Sequence, residues 1–226
     1  MDDPTTLNRP RWTWLTALLG TAGCVMLAVL WQISPAWHRL DATWLERIQT
    51  QTPAPLADAL NVVGYGGSQF VAIPSALCIA GYLWHQRQRT RALLWTAAYA
   101  SGQLVVFALK LSVDRVRPSA PGLLERTFSF PSGHAFTATF LFGSVVLLGW
   151  HRWTPGVRWL LVLIASGWAL AVGWSRLVHH VHYPTDVLGG FALGMAGLAL
   201  FRIALRRWAP RHTSHTSVSS STRSSR

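Results

Sequence analysis

The 226-residue chain is half apolar, carries 13 Trp and has only 12% charged residues, a balance that excludes an ordinary water-soluble globular domain and points to a membrane. Its formal charge of +12 would suit nucleic acid, but the basic residues lie between apolar stretches. The excess therefore reads as membrane topology and attraction to anionic headgroups, and nucleic acid is not an expected partner.

Six stretches approach the roughly 20 apolar residues a helix needs to cross the hydrocarbon core: residues 12–33, 62–84, 92–111, 134–150, 157–174 and 187–205. The expected architecture is an all-helical bundle of six transmembrane helices. Residues 1–11 form a short cytoplasmic segment, 12–208 the membrane domain, and 209–226 a basic Ser/Thr-rich tail expected to be disordered. The first stretch is too long for a cleaved signal and lacks a convincing small-residue cleavage site, so it reads as an anchor. Cys24 and Cys78 fall inside apolar stretches, where a thiol is a small hydrophobe, and imply no disulfide.

Assigning alternate loops to alternate sides places thirteen arginines with both termini and leaves seven basic residues opposite: Arg39, Arg47, Lys110, Arg115, Arg117, Arg126 and Arg176. By the positive-inside rule both termini are cytoplasmic. Between the first two spans, Trp37, Leu40, Trp44, Leu45 and Ile48 recur at helical spacing, with Arg39, Asp41, Glu46 and Arg47 among them. That pattern predicts a short amphipathic helix on the membrane surface.

Ionisable residues near a membrane core are functional candidates, and those of the two later non-cytoplasmic connections fall into three clusters. The first runs from Lys110 to Arg117-Pro118, the second is Pro131-Ser132-Gly133-His134, and the third links Ser175-Arg176, His182 and Asp186. All three emerge on one face of the membrane, so a single site can collect them. Lys110, Arg117 and Arg176 suit an anion whose charge is spread over several oxygens. Lys110 is the only lysine beside 19 arginines, which makes its retention pointed. Ser132 and Gly133 precede a span, where free N–H groups and the helix dipole favour an anion. His182 and Asp186, four apart, can pair through one imidazole nitrogen if they share a helical turn.

In this order, on neighbouring spans, these clusters resemble the signature of the type 2 phosphatidic acid phosphatase family, bacterial six-span branch. The resemblance implies a membrane lipid phosphate phosphatase that works through a phosphohistidine. In that scheme His182 is the nucleophile, Asp186 orients it and His134 is the acid and then the base. Lys110, Arg117, Ser132, Gly133 and Arg176 bind the phosphate. No metal and no cofactor are expected, because the fixed cations supply the charge stabilisation. His179 and His180 lie beside His182 and Asp186, but the surrounding cations give the site the wrong sign for a metal ion.

The expected partners are a membrane lipid phosphate and the bilayer itself, and the expected location is a bacterial inner membrane with the active site at the periplasmic face. Undecaprenyl diphosphate is the leading substrate; phosphatidic acid, phosphatidylglycerol phosphate and lipid A phosphates are alternatives. An intramembrane serine protease built on Ser132 and a lipid or anion transporter are the rivals from other classes. Trp174, Phe128, Phe130, Tyr183 and Trp150 read as interfacial aromatics. Arg115 and Arg126 read as solvated loop charges.

Overall fold

The computed structural model describes residues 10–118 and 128–208. The tail, Arg126 and nearly all of the N-terminal segment lie outside the described residues. Within them the chain is helical: α1 (Pro10–Ile33), α2 (Pro35–Gln51), α3 (Ala54–Gly64), a 3-10 turn (Tyr65–Gly67), α4 (Gln69–His85), α5 (Arg89–Val113), α6 (Gly133–Gly149), α7 (Pro155–Val178) and α8 (Pro184–Trp208).

Local chemistry sets these ends. Proline opens α2 and α7 at a first-turn position, where its missing N–H is no loss. Helix α5 stops at Asp114, whose φ of 51° is left-handed and whose N–H returns to the Lys110 carbonyl at 3.1 Å. Helix α7 stops in a Schellman arrangement: His180 takes φ 58° and donates to Leu177 O, while the Val181 N–H donates to Arg176 O. The sequence sets His180 beside His182 and Asp186 without a role; the structure makes it the residue that reverses the chain. Among the described residues no three His, Cys, Asp or Glu side chains gather as metal ligands would.

Four helices, α1, α5, α7 and α8, are each long and apolar enough to span a membrane. The stretch at 62–84, expected to be one straight span, is broken at the 3-10 turn, and α3 and α4 qualify only as a pair bent by 43°. Helix α6 has 17 residues, because Ser132 caps it and it closes at Gly149. Length and composition thus give four or five spans against the six expected from sequence. Large apolar residues stand exposed on several faces: Phe70 at 88%, Leu163 at 69% and Leu18 at 68%. An apolar exterior of this kind requires lipid, not water, as its solvent. The helix at Pro35–Gln51 forms where sequence placed an amphipathic helix, but it buries Asp41 and Leu45 rather than only resting on a surface.

Helix α8 is central and packs against α1, α5 and α6. Without a hydrophobic force between helices in lipid, small residues that let backbones approach do this work. At Gly190 a β-carbon would meet Ala135 Cβ at 2.8 Å and collide with the Ser132 carbonyl, so only glycine permits this α6–α8 approach. An aromatic core lies further along the bundle, with Trp95, Tyr99, Phe136, Phe140 and Phe201 in successive ring contacts. Its polar edges are satisfied: Trp95 Nε1 donates to Ser144 Oγ at 2.8 Å and Gln103 Nε2 to Thr137 Oγ1 at 3.1 Å.

Gly190→Ala should destabilise the protein by about 1–3 kcal/mol through overpacking and lower activity with it, since the α6 start carries the site. Gly81, whose β-carbon would meet nothing within 4 Å, is the control: Gly81→Ala should leave or raise the melting temperature. Thermal unfolding of both variants in detergent checks the pair, and equal melting temperatures would contradict the packing argument.

Candidate active site

The C-terminal ends of α5 and α7 and the N-terminal ends of α6 and α8 meet at one end of the bundle, which brings the three sequence clusters together. Lys110 sits in the last turn of α5, Arg176 in the last turn of α7, His134 in the first turn of α6 and Asp186 in the first turn of α8. Arg117 lies in the segment after α5. Their proximity shows in their mutual fields: Arg117 acts on Lys110, His134, Arg176 and His182, and His134 also feels Lys110, Arg176 and His182. Lys110, Arg117, His134 and Arg176 are each partly exposed, whereas His182 and Asp186 are buried. The cations thus stand toward an opening and the His–Asp pair behind them.

His182 does not lie on a helical turn, as the spacing suggested, but in the bend between α7 and α8. The pairing still forms, because Asp186 reaches back from the first turn of α8. Its Oδ2 lies 3.4 Å from His182 Nδ1 and accepts from the Tyr183 N–H at 2.8 Å. The first contact is long, and no better-aligned partner serves Nδ1. That orientation directs Nδ1 to the carboxylate and leaves Nε2 as the other imidazole nitrogen. Burial pushes the His182 imidazole down to about 4, outweighing the pull of Asp186 in the other direction; Lys110 and Arg117 add to the lowering. At neutral pH the ring is uncharged and carries a free lone pair.

The Pro131-Ser132-Gly133 turn differs from the expectation in one respect. Ser132 is fully buried; its N–H donates to the Asp186 carbonyl at 2.9 Å, and its Oγ caps α6 by accepting from Ala135 N at 3.5 Å. The Ser132 N–H is therefore committed to α8, which leaves the N–H groups of Gly133 and His134 as the free donors that a helix start offers. A Ser132 nucleophile has no exposed hydroxyl, which removes the protease reading. Lys110 Nζ donates to Phe128 O at 2.5 Å, tying the lysine to the strand of chain that leads into the turn.

Two corrections concern residues that sequence treated as peripheral. Arg115 is not a solvated loop charge: it is 1% exposed. Its Nη1 donates to Asp186 Oδ1 and to Thr185 Oγ1, each at 2.7 Å, and its Nη2 donates to Asp41 Oδ2 of α2 at 2.7 Å. Its guanidinium is stacked between the rings of Trp31 and Tyr183, at 3.9 and 4.0 Å from their centroids. Phe130 is wholly buried, and Tyr183 serves as one wall for Arg115, so neither acts only as an interfacial aromatic. Trp174 is 46% exposed, which suits the interfacial role.

The break between α3 and α4 also enters the site. A β-carbon at Gly64 would overlap the Arg176 guanidinium, and one at Gly67 would lie 3.0 Å from His134 Cβ. The Gly64-Tyr65-Gly66-Gly67 run was the available signal, since clustered glycines in an apolar span mark close backbone approach.

Comparison with known proteins gives the family to which the chain belongs. The family model described as the PAP2 superfamily matches residues 91–210. The phosphatidylglycerophosphatase B of Bacillus subtilis is 31% identical over 166 residues, covering 72% of this chain and 76% of its own. A putative undecaprenyl-diphosphatase, YbjG, of Escherichia coli is 44% identical over 69 residues, covering 30% of this chain and 31% of its own. In fold, the chain resembles the crystal structure of the transmembrane PAP2-type phosphatidylglycerolphosphate phosphatase from Bacillus subtilis, with a TM-score of 0.77, 24% identity, and coverage of 88% of this chain and 98% of that one. The matched family region runs through every cluster of the site, and the chain belongs to the PAP2 superfamily.

Proposed function

We propose that this protein is an integral membrane phosphatase that hydrolyses a lipid phosphate through a phosphohistidine on His182. The observation that carries the reading is a buried, uncharged imidazole backed by a carboxylate and faced by Lys110, Arg117 and His134. A neutral nucleophile among cations suits attack on a phosphoryl group, whose negative charge the cations hold.

Nε2 of His182 attacks the terminal phosphorus, the bond from that phosphorus to the leaving oxygen breaks, and that oxygen, the ester oxygen of a lipid monophosphate or the bridging oxygen of a lipid diphosphate, takes a proton from His134. The Nδ1 proton stays directed at Asp186. Water then attacks the phosphohistidine while the neutral His134 takes its proton, the P–N bond breaks, and inorganic phosphate leaves with both imidazoles restored. Lys110, Arg117 and Arg176, with the first N–H groups of α6, hold the phosphoryl oxygens throughout. No metal takes part in this scheme.

The leading substrate is undecaprenyl diphosphate, since three cations match a diphosphate's charge better than a single ester's. Phosphatidylglycerol phosphate stands next, supported by the phosphatidylglycerophosphatase B that matches 72% of this chain. Phosphatidic acid and lipid A phosphates complete the set.

The topology follows from the site. For the ends of α5 and α7 to meet the starts of α6 and α8, α6 must run opposite to both, so its 17 residues, about 26 Å of helix, make a sixth crossing. With α3 and α4 as one bent span, both termini fall on the side rich in arginine, the cytoplasm, and the site opens to the periplasmic face of a bacterial inner membrane. In a cysteine-free background, Val116→Cys should react with a membrane-impermeant maleimide on intact spheroplasts and His151→Cys should not; the reverse pattern inverts the orientation.

Phosphate release by detergent-purified protein, with EDTA present and across those four lipids, tests the activity. Wild type should release phosphate, His182→Ala should lose about 10³-fold or more, and Ser132→Ala should lose only about tenfold. Equal release by wild type and His182→Ala would remove the nucleophile, and lipid movement across vesicles with no release at all would return the transporter reading.

The acidity of His182 predicts the pH profile. Protonation blocks attack, so kcat/KM, corrected for ionisation of the lipid phosphate, should hold down to an acid limb near pH 4. An acid limb near the ordinary histidine value of about 6.5 would contradict a buried neutral nucleophile.

A further inference from the structure

The charges around Arg115 go beyond what phosphate binding requires. The pair His182–Asp186 needs one carboxylate, yet the site buries a second, Asp41, 4% exposed and on another helix. Arg115 stands between them, with an ion pair of 2.7 Å to each. Thr185 closes the group: its N–H donates to Asp41 Oδ1 at 3.1 Å, and its hydroxyl donates to Asp41 Oδ2. The Ser129 N–H donates to the Arg115 carbonyl at 2.7 Å, so the backbone that carries the guanidinium is fixed too.

The division of labour on Asp186 is the informative detail. Oδ1 accepts from Arg115, whereas Oδ2 faces Tyr183 N–H and His182 Nδ1. Arg115 therefore sets the rotation of the carboxylate, and the carboxylate sets the plane and tautomer of the imidazole. The rings of Trp31 and Tyr183 pack against the guanidinium. Arg115 is also a cation whose charge must be balanced, or it would draw electron density from Asp186 alone. Asp41 supplies that balance.

We propose that Arg115 and Asp41 are positioning residues that, with Asp186, form a buried chain His182–Asp186–Arg115–Asp41 aligning the nucleophile and setting how strongly Asp186 supports it. The assignment rests on His182 being the nucleophile. Helix α2 thereby becomes part of the catalytic apparatus through one side chain, although it contributes nothing that touches the phosphate. The groups facing His182 are Asp186 from α8, Lys110 from α5, Arg117 from the following segment and His134 from α6. All of these remain in place in the variants below.

The two positions make opposite predictions. In Asp41→Asn, Arg115 is balanced by Asp186 alone, support for the imidazolium weakens, and the acid limb of kcat/KM moves to lower pH. In Arg115→Met, Asp186 is released from its cation, support strengthens, and the limb moves to higher pH. Each variant should lose about 10–100-fold in kcat, the range typical of partners one step behind a reacting group, with KM within threefold of wild type. Arg115→Lys should recover part of the loss.

The experiment measures kcat, KM and pH profiles of the full-length protein in detergent, with a melting temperature for each variant. Phosphoenzyme from a ³²P-labelled lipid phosphate is trapped in alkaline denaturant, which preserves phosphohistidine. Opposite shifts of the acid limb support the chain. Where Arg115→Met does not fold, Asp41→Asn, nearly isosteric, decides by itself. Folded Asp41→Asn with the wild-type profile and kcat overturns the positioning role. Absence of a His182 phosphoenzyme in wild type overturns instead the reading of the nucleophile, so the two failures are distinguishable.

Discussion

A guanidinium and two carboxylates held out of water are the constraint on which the site depends. Arg115 joins α2 to the start of α8 through ion pairs with Asp41 and Asp186, and its stacking on Trp31 brings in α1. Removing one member of such a group leaves an uncompensated charge in a low-dielectric setting, a loss of about 3–5 kcal/mol. The intact group is not required for stability in general, since apolar residues of similar volume often serve as well. Its retention makes sense where orientation matters, and here it ends on the carboxylate that faces His182.

The remaining electrostatics divide into two zones. Behind lies the buried group of Asp41, Arg115, Asp186 and His182, in which charges are paired or neutral. In front stand Lys110, Arg117 and Arg176, partly exposed and mutually repelling. The repulsion is tolerated because rigid helix ends hold Lys110 and Arg176 and because Lys110 also donates to the Phe128 carbonyl.

How much of this was legible in the sequence depended on distance along the chain. Lys110, Arg117, His134, Arg176, His182 and Asp186 were readable because each cluster is local and sits where an apolar stretch ends. The all-helical class was readable from the same stretches. The Arg115 group was not: its partners lie 71 and 74 residues away, and a lone arginine two residues before a stronger candidate reads as a topological charge. Asp41 was hidden in an amphipathic pattern whose polar face suggested solvent. The break at Tyr65–Gly67 was masked by hydrophobicity, which registers an apolar run of the right length whether or not its helix continues. Ser132 was half legible: its capping position was clear, whereas the diversion of its N–H to the Asp186 carbonyl required the fold.

The broken helix explains how a bundle of straight spans can enclose so polar a site. Helix ends alone would leave Arg176 and His134 with a gap between α7 and α6 on the side away from α8. The end of α3 and the 3-10 turn fill that gap with backbone: Gly64 lies against Arg176, and Gly67 against His134 and Val172. A side chain at either position would displace Arg176 or His134, and an unbroken α3–α4 helix would project side chains there at every turn. Non-helical backbone at membrane depth is tolerated only where protein or a water-filled cavity satisfies its polar groups. Here the Ser68 N–H returns to the Tyr65 carbonyl at 2.9 Å, so the turn meets part of that demand itself. The same break that spoils the span as a sequence feature thus lets glycine backbone form the wall beside Arg176 and His134.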